Sequence, residues 1–178
     1  ERVQRFRPER QAVLFEVRGA GHATGQFNRA EGLSLSPSGE LFVADSCNHR
    51  VQVFRTDGTF VREFGRAGSE RGEFSYPYDV RVDEQGRQYI CEFGNSRLTV
   101  LDSEGEVLEL IGRPGSAPGE FNNPWSLALD SRGNLYVADS QNHRVQKLIR
   151  HEPAAEFQVS SFKFSDSLKL ETSNSPVK

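Results

Sequence analysis

Asp45, Asn48, His49 and Arg50 set a carboxylate, an amide, an imidazole and a guanidinium close together, and the same four types return at Asp139, Asn142, His143 and Arg144. Acid and imidazole at this spacing are chemistry that can hold a metal or pass a proton. A third copy stands midway, with Asn95 47 residues from both Asn48 and Asn142, and it reads Glu92, Asn95, Ser96 and Arg97. The middle copy therefore has no imidazole, while a zinc site needs three or four converging ligands. His22 and His151 fall outside the repeated loop, and neither H-E-x-x-H nor G-x-S-x-G occurs. A group repeated at fixed period is the mark of a structural brick, in which short polar side chains satisfy the backbone of a turn. Asp45, Asn48, Arg50, Glu92, Asn95, Arg97, Asp139, Asn142 and Arg144 are accordingly read as scaffold, with no catalytic residue, metal or cofactor expected.

The elements that must position these groups follow from the rest of the repeat. Each copy has a matching lead-in, Gly25 to Phe42, Gly72 to Tyr89 and Gly119 to Tyr136, with Phe27, Phe74 and Phe121 at the same place. Leu33 and Leu35, like Val80 and Val82 or Leu127 and Leu129, alternate with smaller or polar residues, which is the period of a strand. Leu41 to Ala44 and Leu135 to Ala138 are apolar on both faces, so that strand should be covered on both sides. Arg50 to Phe54 and Thr59 to Phe64 alternate again, and Gly-containing turns at Ser36, Asp83 and Asp130, and at Thr56 and Asp102, join the runs. A four-stranded sheet of about 47 residues that packs on copies of itself is a propeller blade, so the fold class is all-β.

The string from Gly119 to Gln146, with its G-x-F-x-x-P opening and the run Gly133-Asn134-Leu135-Tyr136-Val137-Ala138-Asp139-Ser140, resembles the NHL repeat. The resemblance covers roughly residues 1 to 157 and implies a β-propeller, usually six-bladed, that serves mostly as a binding platform. Two positions depart from it: Ala30 replaces the proline found at Pro77 and Pro124, and the middle loop reads Glu92-Phe93-Gly94-Asn95-Ser96.

The repeat assigns residues 1–19 to the last two strands of an incomplete blade, since Glu1 to Phe6 copies His49 to Phe54. Residues 20–65, 66–112 and 113–159 form three blades, the third with a degenerate end, and 160–178 a tail with one possible further strand before a disordered end. Three blades do not ring a channel, because propellers typically have about four to eight. The favoured closure is half of a six-bladed ring, completed by missing sequence or by a second copy; the other closure pairs the tail strand with the amino-terminal strands in a small ring. With no Met and a first residue of Glu, the sequence reads as a processed or excised piece.

Function should sit where the bricks differ. The loop entering the first strand and the turn between strands two and three open on one face, and this face varies: Arg29 and Glu31 in the first unit give way to Tyr76, Tyr78 and Asp79, then to Asn123 and Trp125, while Phe93 replaces a serine. Large amphipathic rings are frequent binding anchors. Arg29, Glu31, Tyr76, Tyr78, Asp79, Phe93, Asn123 and Trp125 are therefore the candidate ligand-binding residues, set against ordinary packing between blades. Net charge is −3 with arginines dispersed among acids, so nucleic acid is the least favoured partner, and no apolar stretch is long enough to span a membrane. Cys47 and Cys91 lie at different places in the repeat and leave the compartment open. The leading expectation is a non-catalytic module for a protein, peptide or small molecule, with self-association or docking of a missing half. The resemblance implies two alternatives: a metal-dependent lyase or lactonase-like enzyme, in which Glu31 and Asp79 would stand near the channel mouth, and an RNA-binding NHL domain using Arg29, Arg66, Arg71 and Arg113 with Tyr76 and Trp125.

Overall fold

Alternating and doubly apolar runs become antiparallel strands in the computed structural model, which describes residues 1–7, 9, 12–151, 156–163 and 171–175. The strands are β1 (Arg2–Arg7), β2 (Ala12–Arg18), β3 (Ala30–Leu35), β4 (Glu40–Asp45), β5 (Arg50–Arg55), β6 (Phe60–Phe64), β7 (Pro77–Val82), β8 (Gln88–Glu92), β9 (Arg97–Leu101), β10 (Val107–Ile111), β11 (Ser126–Leu129), β12 (Leu135–Asp139), β13 (Arg144–His151), β14 (Glu156–Lys163) and β15 (Glu171–Ser175). They form four meandering sheets: β1-β2, β3-β4-β5-β6, β7-β8-β9-β10 and β11-β12-β13-β14-β15. Sequential hairpins explain the order, because each strand meets its neighbour through a short turn, and those between the first two and the last two strands of a sheet place glycine at positive φ, as at Gly39, Gly58, Gly86, Gly105 and Gly133.

Three apolar clusters separate the four sheets. Val3 and Val17 meet Phe27, Val43 and Phe54; Phe42, Ala44 and Val53 meet Phe74, Val80 and Ile90; Tyr89, Cys91 and Leu98 meet Phe121, Leu127 and Val137. Phe27, Phe74 and Phe121 are each fully buried, one to a cluster. A single parallel bridge on each phenylalanine, to Ala20, Ala67 and Pro114, docks the incoming loop over the seam. Gly65 and Gly112 let the rings approach: each has positive φ, at 94° and 85°, and a β-carbon there would overlap the Phe74 or Phe121 ring.

The carboxyl-terminal part differs from the boundaries read in the sequence. β14 continues to Lys163 rather than ending at 159, because it pairs with β13 from Val145↔Phe162 to His151↔Glu156. Residues 171–175, expected to be disordered, pair with β14 from Lys163↔Glu171 to Val159↔Ser175. Residues 164–170 of the expected tail strand lie outside the described residues. Among the described residues β15 lies on β14 and β1 pairs with β2, with no pairing between the tail and the amino-terminal strands.

Candidate functional site

The repeated polar group is a clamp built three times. Asp45 ends β4 with its side chain fully buried. Its Oδ2 accepts from Asn48 Nδ2 at 2.8 Å, Arg50 Nε at 2.8 Å and Gln52 Nε2 at 3.0 Å, and its Oδ1 accepts from the Asn28 amide at 2.7 Å. Asp139 does the same with Asn142, Arg144, Gln146 and the Asn122 amide. The arginines continue outward to loop carbonyls, Arg50 to Ala23 and Gln26, Arg144 to Ser116, Ala117 and Glu120. Each clamp thus ties the loop entering the first strand to the two middle strands, with every acceptor of a buried carboxylate used.

The middle clamp reaches the same end with different lengths. Glu92 replaces the aspartate and Thr99 the glutamine, and Thr99 Oγ1 donates to Glu92 Oε1 at 2.5 Å. A longer acid offsets a shorter donor across the β8–β9 pair. Gln52, Thr99 and Gln146 were missing from the scaffold set read from the sequence. Their signal was the paired change from Asp with Gln to Glu with Thr among internal copies. Asn142 donates both to Asp139 Oδ2 at 2.9 Å and to the Gly115 carbonyl at 2.8 Å. Asn142→Ala is expected to cost about 1–2 kcal/mol in denaturant unfolding by leaving that carbonyl unpaired.

Of the two histidines in this loop, His49 has a side-chain partner in the next unit. His49, Ser96 and His143 take left-handed backbone at the end of the turn, with φ of 55°, 51° and 52°. His49 Nδ1 accepts the Tyr76 amide at 3.2 Å, and Ser96 Oγ accepts the Asn123 amide at 3.2 Å, so this position pins the next unit. His22 Nδ1 lies 2.6 Å from Asn48 Oδ1. Among the described residues, no three His, Cys, Asp or Glu side chains are grouped so that they could hold a metal ion.

The variable loops bring one aromatic cluster together. Tyr78 stacks on Phe93 with centroids 4.4 Å apart and planes 20° from parallel, and Trp125 meets both rings near perpendicular at 5.0 and 5.9 Å. Arg29 closes the row, its guanidinium 4.9 Å above the Tyr78 ring and its Nε 2.5 Å from Glu31 Oε1. That ion pair holds the Arg29 pKa above its ordinary value. The row crosses three successive sheets, with Trp125 45% exposed, Phe93 half-buried and Tyr78 only 6% exposed. Beside it Tyr76 is exposed and packs on His49 at 4.6 Å.

Two candidates need correction. Tyr78 is covered by Phe93, Trp125 and Arg29, so it supports the cluster from beneath instead of projecting. Asp79 is buried and its carboxylate is spent: Ser126 Oγ donates at 2.6 Å, the Leu127 amide at 3.0 Å and Arg81 Nη1 at 2.7 Å. It locks β7 to β11, and Gly32 leaves it room from β3, since a β-carbon there would sit 2.6 Å from Asp79 Cα. Asn123 is partly spent too, its Nδ2 donating to the Phe93 carbonyl at 3.0 Å and so holding the Phe93 loop.

The opposite face carries a concavity of about 770 Å³ at the far ends of β3, β7 and β11, lined by Leu35, Val82 and Leu129 and by turn residues including Glu84 and Arg132. Asp83 and Asp130 in its lining accept hydrogen bonds within their own turns. Hydrogen bonds led by the Asn134 side chain hold the Asp130 carboxyl down at about 2. Burial, with the nearby Asp83 carboxylate, pushes the Tyr89 phenol up to about 12, and its hydroxyl donates to Asp83 at 3.0 Å. Burial also raises the Cys91 thiol well above its ordinary value, which removes it as a nucleophile. Both cysteines are free thiols.

Four-stranded antiparallel sheets packed face to face and clamped at one end define a β-propeller protein. Solved propellers align with it: virginiamycin B lyase from Staphylococcus aureus with a TM-score of 0.58 at 13% identity, over 94% of this chain and 61% of that one, and a gluconolactonase from Xanthomonas campestris with 0.53 at 22%, over 83% and 47%. The NHL repeat model matches residues 27–54 and 121–148, the first and third of the three units. Tripartite motif-containing protein 2 of Rattus norvegicus is 38% identical over 52 residues, and Protein brain tumor of Drosophila melanogaster 32% over 59 residues. These stretches are 29% and 32% of this chain but span only 7% and 6% of the relatives' lengths.

Proposed function

We propose that the chain is a non-catalytic binding module whose strand-entry face engages a protein or peptide through the Trp125–Phe93 cluster. The observation that carries this reading is the row from Arg29 to Trp125: side chains from three sheets converge where the repeat itself requires none of them, and the outermost ring stays exposed. Rings placed like this supply large contact area at small entropic cost.

Of the two other readings, an RNA platform is weakened because Arg66 and Arg113 already pair with Glu73 and Glu120 at 3.0 and 2.9 Å, and Arg29 with Glu31. A lyase or lactonase, suggested by the solved neighbours, loses Asp79 to its internal donors. A peptide selected from a displayed library against the intact chain tests the proposal. Its affinity should fall by about 2 kcal/mol or more in Trp125→Ala and Phe93→Ala, with melting unchanged, while Glu84→Ala and Arg132→Ala on the opposite face stay silent. Selected peptides whose affinity ignores Trp125 and responds to the opposite face would refute it.

A further inference from the structure

The strand-entry loops spend their main-chain acceptors internally. In each unit the turn after the second strand donates amides to carbonyls of the loop that enters the first: Ser46 to Arg29 and Cys47 to Asn28, Phe93 to Tyr76 and Gly94 to Ser75, and Gln141 to Asn122. The Phe93 carbonyl accepts from Asn123 Nδ2, the Pro124 carbonyl lies 3.5 Å from the Cys91 thiol, and the Trp125 amide donates to the Ala138 carbonyl. Around the aromatic cluster the loops therefore offer no row of open backbone groups on which a partner strand could pair.

What the cluster leaves open is ring surface and ring donors. Phe93 stands between two exposed rings: its amide donates to the Tyr76 carbonyl at 3.1 Å, and its ring centroid is 5.9 Å from that of Trp125. Tyr76 is 42% exposed and is braced by His49, while Tyr78 and Phe93 brace Trp125. Each exposed ring carries one hydrogen-bond donor, the Tyr76 hydroxyl and the Trp125 indole N–H, and neither has a partner among the described residues.

We infer that the segment bound at this cluster is proline-rich and lies on it in the left-handed polyproline II form. The inference rests on the reading of the strand-entry face as a binding site and names the chemistry of its occupant. Peptides dock on folded domains by adding a strand, by laying an amphipathic helix in a groove, or as polyproline II on aromatic rows. Strand addition has no edge to join here. A helix spends its carbonyls on itself and would cover both ring donors without giving them acceptors. Polyproline II makes no internal hydrogen bonds, so its carbonyls are open to the Tyr76 hydroxyl and the Trp125 N–H. Proline also brings an apolar ring to lie against Trp125 and Phe93, and no N–H that would need an acceptor the loop carbonyls have already given away.

Two displayed peptide libraries, one fully random and one with prolines fixed in a Pro-x-x-Pro frame, are selected against the intact chain, and the winners of each are synthesised. Winners of the random library should converge on proline and compete with those of the framed one. Alanine in place of the framed prolines should weaken binding at least about tenfold, because the bound backbone is then no longer preformed. Trp125→Phe and Tyr76→Phe each keep a ring and remove its donor, and each should weaken binding about two- to tenfold with melting unchanged. Winners that need Trp125 but contain no proline, or that turn helical by circular dichroism on binding, overturn the inference and leave the binding face standing. Winners indifferent to both Trp125→Ala and Phe93→Ala remove the face and the inference together.

Discussion

Asp139→Ala is expected to destabilise the folded chain by about 3–5 kcal/mol, because removing one partner of a buried ion pair strands the other. Arg144 Nε lies 2.6 Å from Asp139 Oδ2, both side chains are almost wholly buried, and Gln146, Asn142 and the Asn122 amide lose the same acceptor. Denaturant unfolding of the wild-type and variant chains measures the loss. The double variant Asp139→Ala with Arg144→Met should recover part of it, since the stranded guanidinium is then gone. A loss under about 1 kcal/mol, with no coupling between the two sites, would mean that the clamp is an ornament of the loop and does not hold the sheet together.

Phe74→Ala should cost a similar amount, about 3–5 kcal/mol, by opening a cavity in the seam between the second and third sheets. The ring is fully buried, meets Phe64 edge-on at 6.1 Å and leaves no room for a β-carbon at Gly65. Phe74→Leu keeps most of the volume and should cost less than about 1.5 kcal/mol. Equal unfolding midpoints for the two variants would show that the ring's bulk is not what fills the seam. Because Phe74 belongs to the interface and not to the variable face, peptide binding by whatever remains folded should be preserved.

The repeat period, the strands and their meander were legible in the sequence for a local reason: alternation and turn residues are properties of a few adjacent positions, and three copies state them three times. The clamp was half legible. Asp45, Asn48 and Arg50 stand out as a recurring string, but that Gln52 shares their acceptor depends on the pairing of β4 with β5, which sets residues seven apart on one carboxylate. The tail was misread because the strands 156–163 and 171–175 are held by pairing with β13 and with each other, and carry no turn signals of the repeat.

The candidate site divides along the same line. Sequence comparison between units determined which positions vary, and so named Arg29, Tyr78, Phe93 and Trp125 together. Tertiary structure alone decided that Tyr78 is the buried floor and Trp125 the exposed edge, and that Asp79 is consumed by Ser126 and Leu127. Burial is a property of what the neighbouring sheet places against a side chain, and one repeat position meets a different neighbour in each unit.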